Sequence, residues 1–231
     1  MQQVIAEIDA ALRSAASPAF ALSVQRFFTH PVSALGVPNG VVGSVARAAF
    51  KRHPGADWPA IADQFARSHA FNEYFLLAAA LMAHVVRSPD PDGRLFAQMR
   101  CWLDSHASNW AQCDDLCIKP LFVYLKRHPA RRAEVIGWGA AASPWSRRAS
   151  NVALVKLVGR VDGFELDAVL ANCKRLLGDP DPYVQKGIGW MLKVALGREQ
   201  EAVLAFLRAH RAVMQASTLR YALEKMPAGL D

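Results

Sequence analysis

The feature that most constrains the fold of this chain is a repeat of helix-starting signals. These signals recur at intervals of 34, 37, 36, 38 and 34 residues. They lie near Pro38, Asn72, Asn109, Trp145, Tyr183 and Ser217. A period of this length is typical of solenoids built from helical hairpins, in which each unit packs only against its neighbours. Strand signals are scarce. Apolar residues recur at spacings of three and four, which is the pattern of a helix and not the alternation of a strand.

The repeat predicts an all-α right-handed solenoid of about six helical pairs, with residues 1–231 forming one domain. A first helix is expected over residues 3–16, and Ser17 with Pro18 opens the next. The second helix of each unit is predicted over residues 72–86, 110–125, 144–158, 182–196 and 218–226. Because equivalent helices of a solenoid stack side by side, we expect them to line one concave surface.

The tetrapeptide Lys-Arg-His-Pro occurs twice, at residues 51–54 and 126–129. Cations suit the carboxyl end of a helix dipole, and proline stops helix propagation. Each copy therefore indicates a helix end, and a contact with phosphate is the alternative interpretation.

The net charge of +7 favours an anionic partner, with nucleic acid first and an acidic membrane surface second. A solvated basic face is the neutral alternative. No run of eighteen apolar residues occurs, so no membrane span is expected. The first residues carry acids within their apolar stretch, which excludes a signal peptide. We therefore expect a cytoplasmic protein, associated with the nucleoid through DNA.

The cysteine pattern gives little support to a metal site. Cys113 and Cys117 lie one helical turn apart, and His106 and His128 are not far along the chain. A zinc site is conceivable, but the paired short spacings of structural zinc are absent. Buried thiols are the favoured interpretation, and neither a metal nor another cofactor is expected.

Residues 181–195 have the pattern of a well-delimited amphipathic helix. Asp181 is placed to cap the helix, and Pro182 lies in the first turn, where its missing N–H costs nothing. A core stripe is expected at the positions that share one helical face. Its members are Val184, Ile188, Met191 and Ala195.

The opposite face of that helix carries Lys186, Trp190 and Lys193. A large aromatic between two lysines is a pattern that nucleic-acid binders use, whereas a second helix packed over Trp190 is the alternative. Gly187 and Gly189 each lower the stability of a helix by roughly 1 kcal/mol relative to alanine at the same position. A close approach of another backbone is the usual reason for such glycines.

Three neighbouring repeats carry unusual residues at equivalent positions of the repeat. They carry Trp110 with Asp114, Trp145 with Arg148, and the segment 185–190. Each has an ordinary alternative: a solvated acid, a surface ion pair, or tryptophans packed between repeats. Their combination at equivalent positions favours a shared functional surface.

These motifs resemble those of the HEAT-like-repeat DNA alkylation repair glycosylases of the AlkD type. The resemblance runs through nearly the whole chain and is weaker before residue 90. It implies that Trp110, Asp114, Arg148 and Trp190 line a concave DNA-binding surface around the damaged nucleotide. It also implies recognition without base flipping. The opening at Pro38–Asn39–Gly40 and the apolar segment 71–77 depart from the family pattern.

The residue types suit excision of an N3- or N7-alkylated purine, which is cationic and leaves readily. A carboxylate at Asp114 would stabilise the oxocarbenium-like sugar and orient a water molecule. The faces of Trp110 and Trp190 would attract the developing positive charge. Phosphate contacts are expected from the cationic and amide side chains of the last two motifs. They are Arg147, Arg148, Gln185, Lys186 and Lys193.

We therefore expect a DNA glycosylase that acts as a monomer on duplex DNA containing alkylated bases, without a membrane partner. The alternative is a non-catalytic HEAT-repeat scaffold that binds DNA or protein. A metal-dependent enzyme is disfavoured, because no cluster of His, Asp and Glu occurs at helical spacing.

Overall fold

The computed structural model describes residues 1–160 and 164–226, and within these ranges the protein is helical with no β-strand. The all-α prediction is confirmed. The chain divides into two compact units, residues 1–124 and 125–231. The sequence predicted one domain over residues 1–231. Residues 161–163 and 227–231 are part of that prediction and lie outside the described ranges.

The first unit begins with the predicted amphipathic helix. Its helices are α1 (Gln2–Ser14), α2 (Pro18–Val24), α3 (Asn39–Arg52), α4 (Trp58–Arg67), α5 (Asn72–Val85), α6 (Arg94–Ser105) and α7 (Trp110–Leu116). A 3-10 turn, Gln25–Phe27, follows α2. A π-helical turn, Cys117–Leu121, continues α7 and leads into α8 (Phe122–Arg127). The ends of α3 and α8 at Arg52 and Arg127 confirm that both Lys-Arg-His-Pro segments stop helices.

Helix α5 forms the centre of the first unit. It packs against α3, α4 and α7, and its residues from Glu73 to Met82 are all buried. A helix that is apolar on all sides is typical of a core position. The unusually apolar segment 71–77 therefore has a packing explanation.

The helix predicted over residues 110–125 contains a π-helical turn that periodicity did not anticipate. Pro120 lies inside this turn. Proline has no N–H to donate and its ring crowds the preceding turn, so regular α-helical bonding is interrupted there. Single π turns are often found next to functional positions in helices, and this one directly follows α7.

The second unit contains the remaining helices. They are α9 (Arg131–Gly137), α10 (Pro144–Val152), α11 (Val155–Val158), α12 (Leu166–Leu176), α13 (Pro182–Leu196), α14 (Gln200–His210) and α15 (Ala216–Leu223). The helix predicted over 144–158 is divided between α10 and α11. The Leu154 N–H donates to the Asn151 carbonyl three residues back, which tightens the chain between them.

Helix α13 has the predicted bounds and the predicted cap. The Asp181 carboxylate accepts hydrogen bonds from the backbone N–H groups of Tyr183 at 2.7 Å and Val184 at 3.1 Å. The core stripe is confirmed by complete burial of its four members, Val184, Ile188, Met191 and Ala195. Helix α13 packs most closely on α10 and α15 and so forms the centre of the second unit.

The two glycines of α13 allow these close contacts. A Cβ at Gly189 would lie 3.0 Å from Tyr221 Cβ and 3.1 Å from the Thr218 carbonyl oxygen on α15. A Cβ at Gly187 would lie 3.3 Å from Arg148 Cγ on α10. The expected close approach of another backbone is confirmed at Gly189, whereas the atoms that approach Gly187 belong to side chains of α10.

Three of the four cysteines are the buried thiols that the sequence predicted, and the fourth is not. Cys113, Cys117 and Cys173 are buried thiols, and Cys101 is an exposed one. Burial raises the pKa of the Cys173 thiol to about 12, which keeps it protonated. Within the described ranges, no group of three or more His, Cys, Asp or Glu residues is placed to hold a metal ion. None of the described helices is long and apolar enough to cross a bilayer.

The glycine contacts predict opposite effects for two Gly→Ala substitutions. Gly189→Ala should lower the free energy of unfolding by about 1–3 kcal/mol, because the new methyl meets the α15 backbone. Gly43→Ala, in α3, has no heavy atom within 4 Å of its new Cβ and should raise stability by roughly 0.5–1 kcal/mol. Urea denaturation followed by circular dichroism measures both. Equal stabilisation by the two changes would contradict the close approach at Gly189.

Candidate nucleic-acid interface

The first part of the predicted site lies on α7, where Trp110 is held by residues that follow α2. Asn109 caps α7 by accepting from the Gln112 N–H at 3.1 Å. The Trp110 indole Nε1–H donates to the Phe27 carbonyl at 3.2 Å. The indole also stacks on Phe28, with ring centroids 5.7 Å apart and an angle of 29° between the planes. Trp110 is thereby fixed in orientation while it remains only half-buried.

Asp114 follows Trp110 by one helical turn, so the two side chains share a side of α7. The Asp114 residue is 8% exposed. Its neighbour Asp115, 4% exposed, is tied into the fold by other groups. Lys119 Nζ lies 2.7 Å from its carboxylate, and the Asn39 amide donates to it at 2.9 Å. Asp115 is therefore a buried carboxylate held by Asn39 and Lys119.

The segment that leads from α2 to α3 is clamped by a buried carboxylate. Glu73, at the start of α5, accepts from the N–H groups of Leu35 at 3.0 Å, Gly36 at 2.8 Å and Val37 at 3.1 Å. Gly36 has a φ of +78°, and a Cβ there would lie 2.0 Å from the Ser17 carbonyl oxygen. Only glycine fits this position. The clamp fixes the chain seven residues after Phe28, one of the two residues that hold Trp110.

The second part of the predicted site lies on α10 and α13. Arg148, on α10, is 5% exposed and donates from Nη1 to the Tyr183 carbonyl at the start of α13. Gly187 leaves the space that the Arg148 side chain occupies. Trp145 packs on the Tyr183 ring, with centroids 5.5 Å apart. Arg148 is thus set between two helices instead of extending freely into solvent.

Two predicted DNA contacts are engaged inside the second unit. Arg147 Nε donates to Asp179 at 2.6 Å, and its Nη1 donates to the carbonyls of Ala141 and Ala142 at 3.1 and 2.6 Å. Gln185 is 1% exposed. Its amide donates to the Leu176, Leu177 and Asp179 carbonyls, and its Oε1 accepts from Thr218. This geometry gives a direct DNA contact of Gln185 no support, and the residue anchors α13 to the preceding turn.

The two lysines of α13 differ in availability. Lys193 pairs with Glu224 at 2.7 Å and lies 4.0 Å above the Tyr221 ring, which leaves its side chain 12% exposed. Lys186 is exposed, lies 5.5 Å from the Tyr183 ring centroid and forms no ion pair with any residue in the described ranges. Trp190, between them, is half-buried. Of the two lysines, Lys186 is therefore the one whose ammonium is available to an anion.

The sequence did not predict the supporting residues Phe28, Glu73 and Asp115. The spacing of Asp115 and Lys119, four residues apart, was a usable signal for an ion pair. Phe28 and Glu73 act across 82 and 38 positions of the chain, respectively, and local patterns carry no such signal. Trp110 and Asp114 lie in the first unit, and Arg148 and Trp190 lie in the second.

Comparison with known proteins gives a consistent result. Residues 8–226 match the family described as DNA alkylation repair enzyme. A predicted DNA alkylation repair enzyme from Enterococcus faecalis has a similar structure, with a TM-score of 0.78 and 15% identity over 92% of this chain and 97% of that one. AlkD2 from Streptococcus mutans gives a TM-score of 0.62 at 15% identity, over 91% of this chain and 99% of that one. The smu.31 protein of Streptococcus mutans UA159 gives 0.63 at 15% identity, over 90% and 98%. No curated protein matches the sequence.

At this level of identity the three structures establish the fold alone. They support the helical-repeat prediction, since the similarity covers nearly all of each chain.

The Glu73 clamp yields a stability prediction. Glu73→Ala leaves three backbone N–H groups without their acceptor and should lower the free energy of unfolding by about 2–4 kcal/mol. Glu201→Ala, which removes an exposed carboxylate on α14, is the control and should change stability by less than about 0.5 kcal/mol. Equilibrium denaturation in urea measures both. Similar values for the two variants would show that the clamp contributes little.

Proposed function

Because the chain belongs to the DNA alkylation repair enzyme family, we propose that it is a DNA glycosylase for cationic N3- or N7-alkylated purines, such as 3-methyladenine and 7-methylguanine. The substrate is duplex DNA, and the reaction is hydrolysis of the glycosidic bond. The products are the free alkylated base and an abasic site. A base that already carries positive charge leaves with its bonding electrons and needs little help from a general acid.

The observation that carries this proposal is the pairing of Asp114 with Trp110 on α7. A carboxylate in a site that is largely closed to water interacts more strongly with a developing cation than one in bulk solvent. Asp114 is 8% exposed and lies one helical turn after Trp110 on α7. Asp114 is therefore assigned to stabilise the oxocarbenium-like sugar and to orient the attacking water.

The aromatic residues are assigned to the same charge. The face of an indole attracts a cation within about 6 Å of its centroid. Trp110 is held at a defined angle by Phe27 and Phe28, so it needs no reorganisation as charge develops. Trp190 is assigned the equivalent role from α13. We propose that both act on the sugar while the base remains in the duplex, without flipping.

The cations are assigned to the DNA backbone. Arg148, whose Nη1 donates to the Tyr183 carbonyl, is assigned to a phosphate beside the lesion. Lys186 supplies a second phosphate contact, since it is exposed and without an ion pair in the described part of the chain. Lys193 and Arg147 contribute less, because Glu224 and Asp179 already neutralise them. Gln185 is assigned a positioning role through its internal hydrogen bonds.

The proposal predicts a large catalytic effect of Asp114→Asn. The amide keeps the shape and removes the charge, so the rate of excision should fall by roughly 10²-fold or more while DNA binding changes little. Single-turnover release of 7-methylguanine from methylated duplex DNA measures the chemical step, and fluorescence anisotropy measures binding.

The matched control is Asp115→Asn, which removes the adjacent carboxylate. Since Asp115 neutralises Lys119, its loss should lower stability and reduce excision less than about tenfold where the protein stays folded. Excision at the wild-type rate by Asp114→Asn would refute the assigned mechanism. A wild-type protein that binds DNA but releases no base would instead identify the chain as a non-catalytic scaffold.

A second prediction concerns the lysines. Lys186→Ala should weaken binding to damaged and undamaged duplexes alike. The slope of log K against log salt concentration should become shallower by about one, because one phosphate contact is lost. Lys193→Ala should have a smaller effect, because Glu224 competes for its charge. Lys174→Ala, an exposed lysine of α12, is the control for net charge. Equal losses of DNA affinity in Lys186→Ala and Lys174→Ala would indicate a diffuse electrostatic effect instead of a defined contact.

A further inference from the structure

The last two helices of the described chain enclose a groove that the proposed catalytic function does not use. It lies between α14 and α15 and has a volume of about 430 Å³. Four leucines line it: Leu204, Leu207, Leu219 and Leu223. Leu207 is buried at 4% exposure, and the other three are half-buried. The turn that joins the helices also presents Val213 at 65% exposure. This end of the second unit therefore presents apolar surface to solvent.

The edges of the groove are strongly basic. Arg208, Arg211 and Arg220 line it, and all three are exposed. None of them forms an ion pair with a residue in the described ranges. The one acid of the lining, Glu224, is held by Lys193 at 2.7 Å. The groove thus combines an apolar floor with arginines whose charge nothing in the described chain neutralises.

The spacing of these residues matches the surface of a helical ligand. On α14 and at the residue that follows it, the lining residues recur at intervals of three and four, from Leu204 through Leu207 and Arg208 to Arg211. On α15 they recur in the same way, from Ala216 through Leu219 to Leu223. Two such faces side by side form the kind of groove that receives the apolar stripe of an amphipathic helix. The 11 residues of α14 extend about 16 Å, or three turns of a ligand helix.

The chemistry of the groove distinguishes between possible occupants. Phosphate groups would suit the arginines, but a leucine floor offers nucleic acid no hydrogen-bond donor and no aromatic ring for base stacking. A second copy related by a two-fold axis would bring the arginines of both copies together, which like charges disfavour. A protein segment with leucine-type side chains on one face and carboxylates beside them satisfies both the floor and the edges.

We propose that the groove between α14 and α15 docks a short acidic amphipathic helix of a partner protein. The leucine floor would receive the apolar stripe of that helix, and the exposed arginines at the edges would pair with its carboxylates. The inference does not depend on glycosylase activity and would hold equally for a scaffold.

The test uses the full chain, labelled with ¹⁵N, and a synthetic helical peptide of about 15 residues, which makes four turns. Leucines occupy positions i, i+4 and i+7 of the peptide, and glutamates flank them. Amide shifts should change at α14 and α15, with a dissociation constant on the order of 10 µM, as expected for a small interface. A peptide with serine in place of each leucine should not bind.

Charge reversal on the protein sharpens the test. Arg211→Glu should weaken peptide binding about tenfold or more, whereas Lys174→Glu, the matched reversal on α12, should weaken it less than about threefold. Because both positions are exposed, circular dichroism should show unchanged folding. The same titration is repeated with a short undamaged DNA duplex, and sedimentation equilibrium reports self-association.

Each remaining outcome overturns the inference. Absence of peptide binding, or equal losses from the two reversals, would remove the groove as an acidic-helix site. Shifts at α14 and α15 caused by the duplex and not by the peptide would assign the arginines to nucleic acid. Self-association that Arg211→Glu abolishes would assign the groove to a second copy of the chain.

Discussion

The helices of this protein depend on one another because each is short. No α-helix in the described ranges exceeds the 15 residues of α13, and isolated helices of that length are marginal in water. Their stability must come from packing of apolar faces. Each unit meets this requirement with one central helix, α5 in the first and α13 in the second, against which the neighbouring helices bury their apolar residues. Of the residues assigned to the proposed site, Trp110 and Asp114 lie on α7, which packs on α5. Arg148 lies on α10, which packs on α13, and Trp190 lies on α13 itself.

Local sequence patterns predicted the features that a helix determines for itself. The bounds of α13, its Asp181 cap and its core stripe depend on residues within a few turns, and all were correct. The π turn around Pro120 and the division between α10 and α11 were missed, because apolar periodicity continues through both interruptions. The repeat spacing predicted where helices begin. It contains no information about the hydrogen bonding inside each helix.

The sequence supplied candidates for the chemical residues of the proposed site and none for the residues that support them. Trp110, Asp114, Arg148 and Trp190 were selected from motifs, and their roles remain proposals. Phe28 and Glu73, which fix the position of Trp110 and the segment before α3, are set by tertiary contacts. Gln185 is an opposite case, in which tertiary contacts bury a residue that its motif suggested as a DNA contact. A polar residue within a basic motif suggests a ligand contact, yet here its amide joins α13 to the preceding turn and to Thr218.

The two glycines of α13 have a consequence for how the second unit assembles. Each lowers the helical preference of the isolated segment by roughly 1 kcal/mol, and the close packing of α10 and α15 that the glycines allow offsets this cost. Helix α13 is therefore not a preformed core onto which the others collapse. We expect it to gain its helical structure in the same cooperative step in which its neighbours dock, so its amide protons should become protected from exchange with solvent together with theirs.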